Sequence, residues 1–184
     1  MLYTGKGDDG TTTTFGCNQR MSKSSAVAEA LGTLDEANSV LGLCKVEAAE
    51  RSFALPDGTA VEKTLHSVQQ QLFIIQAELA GAEMTTAAEK VRHVEAMIEA
   101  IAKELPPIRT FFISGGTKLA ALCDTSRTVA RRAERRVVQV AEEGLVQVGA
   151  DTKAYLNRLS SLLYALSRLA NHQAGIVEEA PDYK

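Results

Sequence analysis

Between positions 27 and 171 apolar residues return every three or four positions in five blocks, which glycine, proline or polar runs separate. The first carries Val27, Leu31, Leu34 and Leu41 and predicts a helix from about Val27 to Ala49, which FALPDGT breaks. In the second, about Thr59 to Ala82, Leu65, Val68, Leu72, Ile75 and Leu79 share one stripe, with Gly81 near the end. A third runs from about Ala87 to Lys103 through Val91, Val94, Ile98 and Ile101, and stops before Pro106-Pro107, which cannot continue a helix. The segment FFISGGT reads as extended, with a sharp turn at Gly115-Gly116. A fourth helix covers about Lys118 to Glu142, and a fifth, after the loop around Gly149, about Thr152 to Asn171. The pattern predicts an all-α chain, five antiparallel helices in one bundle.

The flanks lack this period. Residues 3 to 24 are rich in Gly, Thr, Asp and Ser and read as an irregular loop tied down elsewhere, and IVEEAPDYK at the other end reads as a polar, partly disordered tail. The expected organisation is one domain over 1–184: loop 1–24, bundle 25–173, tail 174–184. Length and composition agree, since 184 residues with 45% apolar side chains can fill one core without a metal or disulfide. Cys17, Cys44 and Cys123 are odd in number, with no CxxC pair, so neither a disulfide framework nor a zinc site is indicated and a reducing compartment is the simplest setting. No apolar run approaches the roughly 20 residues that span a membrane, and MLYTGKGDDG has no apolar signal core, so a cytoplasmic, membrane-free protein is expected.

Charge changes the picture at one place. The chain carries a net −3, yet Ser126 to Val138 holds Arg127, Arg131, Arg132, Arg135 and Arg136. An acidic chain is a poor general nucleic-acid binder, so these arginines read as a local device. At 100° per residue Val129, Ala133, Val137 and Val140 form a core face, Arg127, Arg131, Glu134 and Arg135 gather opposite, and Arg132 and Arg136 flank them. One reading is a solvated stripe with local ion pairs. Another follows from the exclusive use of Arg, whose planar fork suits bidentate contact with phosphate or carboxylate. The loop YTGKGDDGTTTTFG adds backbone N–H groups and hydroxyls able to wrap an anion, with Lys6 and Lys23 nearby, although it is neither a Walker A nor a Rossmann turn and a flexible arm would look alike. Asp8 and Asp9 could hold Mg²⁺ through water or only shape a turn. Together loop and arginines suggest a polyphosphate site.

YTGKGDDGTT, the SK of Ser22-Lys23, EALGTLDEANSVLG, FFISGG, SRTVARRAERRVV and YLNRLSSLLYALSRLAN together resemble the PduO-type ATP:cob(I)alamin adenosyltransferases, from end to end of the chain. The resemblance implies a homotrimer of five-helix bundles that holds ATP and a corrinoid between neighbouring subunits and moves the 5′-deoxyadenosyl group of ATP to cobalt, releasing triphosphate. Mg²⁺ and a flavoprotein reductant are its expected companions, and no metal site of the protein itself is implied. Thr4, Gly7, Asp8, Gly10, Thr11 and Thr12 match the family's ATP loop and Lys23 its phosphate-binding lysine. Arg131, Glu134 and Arg135 match the nucleotide contacts of the arginine helix, and Asn157 the asparagine of YLNRLS. Arg127 matches the arginine that pairs with Asp35 of a neighbouring subunit. Phe111, which hydropathy alone assigns to the core, matches the aromatic residue that displaces the lower axial ligand of cobalamin, because counting back from Gly115-Gly116 selects it over Phe112.

Three departures stand out. Ser161 replaces the Asp of YLNRLSD, Ser114 the Pro of FILPGG, and Cys17-Asn18-Gln19 a glycine run. They bear on the corrinoid side and on loop stiffness, and leave the ATP residues intact. The rival readings are a non-catalytic helical-bundle nucleotide-binding or interaction protein and an RNA-binding bundle. A ferritin-like diiron protein would need Glu-x-x-His spacing that is absent, and His66, His93 and His172 read as surface or packing residues.

Overall fold

The computed structural model describes residues 2–14 and 19–183. Five helices make the bundle: α1 Ala26–Glu50, α2 Val61–Leu79, α3 Ala88–Glu104, α4 Lys118–Glu142 and α5 Ala150–Gln173. Each expected helix is present, with ends within a few residues of the pattern. Side-chain caps fix two of the starts. Ser25 Oγ accepts from the Ala28 amide at 3.3 Å and Thr117 Oγ1 from the Ala120 amide at 3.1 Å, satisfying donors that a first helical turn leaves open.

Helix α4 packs against α1 and α5, α1 also against α2, and α3 against α5. The centre is leucine-rich: Leu34, Leu41, Leu65, Leu72, Leu156, Leu159, Leu162 and Leu163 are fully buried. Each such side chain stabilises the fold by about 2 kcal/mol relative to exposure. From Leu162 to Asn171 every residue of α5 except Tyr164 is buried, so this half is covered on all sides and carries no amphipathic signal. It is the post to which the connecting segments are tied. Asn171 holds the glycine turn, accepting from the Thr117 amide and donating to the Gly115 carbonyl, both at 2.9 Å. At Gly116, φ is 94° and an added Cβ would lie 2.3 Å from Asn171 Oδ1, so only glycine fits.

Both flanks are more ordered than their composition suggests. The opening segment contains a two-stranded antiparallel hairpin, β1 Thr11–Thr13 and β2 Arg20–Ser22, in the register Thr11 to Ser22 and Thr13 to Arg20. Strands of three residues are too short to show a period, and here β-branched threonines supply one of them. Cys17 and Asn18 lie outside the described residues. The tail also departs from expectation: it folds back on α5 and on residues 105–113, with the Ile113 amide donating to the Glu179 carbonyl at 2.8 Å.

Candidate active site

Three groups of side chains make up the candidate site. The first is the hairpin loop. Asp9 Oδ1 accepts from both the amide and the hydroxyl of Thr11, at 2.9 and 2.7 Å, and Arg20 lies 3.2 Å away. These bonds, the Thr11 hydroxyl first, hold the Asp9 carboxyl below its ordinary pKa. Arg20 Nε donates to Thr11 Oγ1 and its terminal nitrogen to the Lys6 carbonyl, closing the turn from the other strand. Asp9 thus shapes the turn, while Asp8 stays exposed. Lys23 Nζ donates to the Gly7 carbonyl at 2.7 Å and the Lys23 amide to the Gly10 carbonyl at 2.9 Å, so the lysine spans the loop. Gly10 has φ of 79°, a backbone state natural to glycine. Thr4 Oγ1 accepts from the Lys6 amide, and Thr12 sits mid-strand, half-buried.

The second group lines a cavity of about 690 Å³ between α4, α5 and residues 108–112. Arg127, Arg131, Phe111, Tyr164 and Ser161 share its wall. Phe111 is 78% exposed, against the core position that hydropathy assigns it, because it stands on an extended segment instead of a helix face. Phe112 also borders this cavity, and its ring lies 5.1 Å from the Arg168 guanidinium. Arg127 is pinned: Nε lies 3.3 Å from Asp124 Oδ1 and the guanidinium 5.9 Å from the Tyr164 ring centroid. Asp124 is buried and its second oxygen accepts from Ser167 Oγ at 3.1 Å, so the arginine is anchored into α5 through a fixed carboxylate. Burial raises the Tyr164 pKa, which keeps its hydroxyl protonated. Arg131 is exposed and has no carboxylate partner among the described residues.

The third group continues along α4. Glu134 Oε1 accepts from Asn157 Nδ2 at 2.9 Å, Asn157 Oδ1 accepts from Arg158, and Arg158 pairs with Glu95 on α3 at 2.8 Å. Arg135 donates to the Arg131 carbonyl at 3.1 Å and remains exposed. Arg132 and Arg136 do serve neighbours, pairing with Glu36 and Glu29 of α1. The stripe is therefore divided: two arginines bind the fold together, one is anchored toward the cavity, and Arg131 and Arg135 face outward.

Within one chain no hydrogen bond or ion pair among the described residues joins the hairpin loop to the arginines of α4. Asp35, exposed on α1, has no hydrogen-bond or ion-pair partner among the described residues, and within the chain Arg127 pairs with Asp124. Asp124, Tyr164 and Arg168 escaped the sequence reading. The i, i+3 spacing of Asp124 and Arg127 was the available signal for the first.

Residues 2–170 match the family described as cobalamin adenosyltransferase. The chain belongs to the cobalamin adenosyltransferase family. It is 38% identical over 188 residues to the corrinoid adenosyltransferase PduO of Salmonella typhimurium, with 97% of this chain and 53% of that protein covered. It thus spans about half of that relative's length. A corrinoid adenosyltransferase of Bacillus subtilis is 35% identical, with coverage of 95% and 89%. Among solved structures, a variant PduO-type ATP:corrinoid adenosyltransferase from Lactobacillus reuteri complexed with cobalamin and ATP superposes with a TM-score of 0.86 at 28% identity, covering all of this chain and 97% of that one. No described helix is long and apolar enough to cross a membrane, and His66, His93 and His172 are exposed.

Proposed function

We propose that this adenosyltransferase-family protein transfers the 5′-deoxyadenosyl group of ATP to the cobalt of cob(I)alamin, in the cytoplasm and as a homotrimer with each site between two subunits. The observation that carries the reading is the cavity that sets Phe111 opposite Arg127 and Arg131: an aromatic ring for the corrinoid and cations for a polyphosphate in one space. In the reaction the cobalt electron pair attacks C5′ of ATP, a Co–C bond forms, the C5′–O bond breaks, and its electrons leave on triphosphate. The nucleophile belongs to the corrinoid, so the protein's work is positioning and charge stabilisation.

Arg131 and Arg135 take the triphosphate, whose charge persists and shifts as the bond breaks. Glu134 and Asn157, already joined at 2.9 Å, hold the nucleoside. The loop residues Thr4, Gly7, Asp8, Gly10, Thr11 and Thr12 supply amides and hydroxyls, and Lys23 a further cation. Two observations support completion across chains: no hydrogen bond or ion pair among the described residues joins the loop to the α4 arginines, and Asp35 is an exposed carboxylate that would be available to a neighbour's Arg127. A ring of such head-to-tail contacts closes as a trimer. Phe111 fills the lower axial face of the corrinoid. Losing that donor lowers the orbital that accepts the electron from a flavoprotein reductant.

The protein fits Mg²⁺ only as a companion of the nucleotide. No group of three His, Cys, Asp or Glu able to hold a metal occurs among the described residues, and Asp9 is committed to Thr11 and Arg20, leaving Asp8 as the carboxylate on offer in the loop. Mg²⁺ suits such a setting, since it is held by substrate phosphates and one or two carboxylates, and bound there it would neutralise part of the phosphate charge. The test is anaerobic incubation with Mg²⁺-ATP and chemically reduced cobalamin. Photolabile alkylcobalamin and free triphosphate, both dependent on ATP, are expected; a folded protein giving neither would return the chain to a non-catalytic binding role.

A further inference from the structure

We propose that the C-terminal tail is a latch that positions Phe111 for the corrinoid, with Arg168 and Glu178 as its closing pair. Arg168 projects from the buried half of α5 and is only 5% exposed. Its guanidinium is held from three sides: Nε lies 2.8 and 3.2 Å from the two Glu178 oxygens, a terminal nitrogen donates to the Pro106 carbonyl at 3.1 Å, and its face lies over the Phe112 ring. One side chain therefore holds both the tail and the segment that carries Phe111.

That segment is gripped at both ends and left free in the middle. Pro106 is bound to Arg168, Ile113 to the tail through Glu179, and Gly115 and Thr117 to Asn171. Asn171 also accepts the tail's Ile176 amide at 2.9 Å, so the tail and the glycine turn share an anchor. Between Pro106 and Ile113 lies Phe111, exposed into the large cavity. Phe112 belongs to the wall of that cavity and also of a second one, about 420 Å³, lined by the tail residues Ile176, Val177 and Glu178. Phe112 is thus a partition with the tail on one side and the corrinoid cavity on the other. A buried ion pair of this kind is costly to break, because the orphaned charge stays in the interior, so opening the tail would release the partition and with it the backbone that aims Phe111. Arg168 and Glu178 are positioning residues: they act on the corrinoid through Phe112 and Phe111 and leave the nucleotide residues alone.

This inference rests on the corrinoid reading of the cavity. Its test compares Glu178→Ala with the wild type and with Glu178→Asp, measuring KM for corrinoid and for ATP, the four-coordinate fraction of bound cob(II)alamin by its spectrum, and hydrogen exchange at the Ile113 amide. Glu178 lies outside the helices, so its truncation removes no side chain of the bundle, and Glu178→Asp keeps a carboxylate for the buried Arg168. In Glu178→Ala the expected results are faster Ile113 exchange, a smaller four-coordinate fraction and a corrinoid KM raised about tenfold while that for ATP stays within about twofold, with Glu178→Asp falling between. An unchanged corrinoid KM, or equal shifts in both KM values, overturns the latch. A wild type that makes no product sinks the activity reading, whereas unchanged Ile113 exchange in Glu178→Ala sinks the latch whichever way the assay goes.

Discussion

The hairpin loop and the arginine cavity both present cations to an anion, yet they are built in opposite ways. In the loop, Asp9, Thr11, Arg20 and Lys23 are bonded to partners within about one hairpin, and all but Thr11 are exposed. Around the cavity, Arg127 is steadied by Asp124 one helical turn earlier, a buried carboxylate that is held in turn by the buried Ser167 of α5, 43 positions further along. Exposed pairs are screened and individually weak, whereas a buried carboxylate fixes its partner's direction. Under the proposed function the loop is thus the part suited to adapt to the nucleotide, and the cavity wall the part with a fixed arginine. Electrostatic preorganisation belongs to the second design and adaptability to the first.

Four substitutions sharpen that contrast. Arg131→Ala removes an outward cation from a rigid helix where charge develops, and kcat should fall by about 100-fold or more in steady-state assays while the melting temperature holds. Asp124→Asn leaves Arg127 without its carboxylate and should destabilise the fold by about 2–3 kcal/mol in denaturant titration, since a buried charge pair is broken. Lys23→Ala should raise KM for ATP by about tenfold with little loss of stability, the signature of a loop that contributes binding. Asp9→Asn should produce the smallest effect, faster exchange of the Thr11 amide at neutral pH.

Acid gives the same information as that last substitution. Asp9's folded pKa lies below its ordinary 3.8, so its contribution is complete above that value and is lost as the pH falls through the depressed one. Protection of the Thr11 amide, the intrinsic exchange rate at the same pH divided by the observed one, should therefore fall in strong acid in the wild type, and Asp9→Asn should abolish that fall. Protection that ignored both acid and Asp9 would show that the turn is held elsewhere.

The bundle was legible because α1 to α4 each bury one stripe and α5 begins with one, so a 3.6-residue period reports them. The hairpin was not, since three-residue strands carry no period. The divided arginine stripe was half legible: periodicity put Arg127 and Arg131 on one face and i, i+3 spacing offers Asp124 to Arg127, but Glu29 and Glu36, which take Arg136 and Arg132, are brought there by the packing of α1 on α4. Phe111 shows the limit of hydropathy, for a phenylalanine on an extended segment is placed by its backbone anchors and not by its own apolarity. Those anchors include Arg168, which pairs directly with Glu178 ten positions on and also holds Pro106 and Phe112, a relation that no local pattern encodes.

Under the proposed function, loop and arginine helix are two halves of one adenosyl-transfer site contributed by different chains. Lys23→Ala and Arg131→Ala proteins, each impaired alone, can be mixed under conditions that allow subunit exchange and assayed for alkylcobalamin formation at low ATP. Shared sites predict recovery to about a quarter of wild-type activity, because about one interface in four then pairs an intact loop with an intact helix. Activity that stays at the average of the two variants after complete exchange would contradict the claim and place both halves in the same chain.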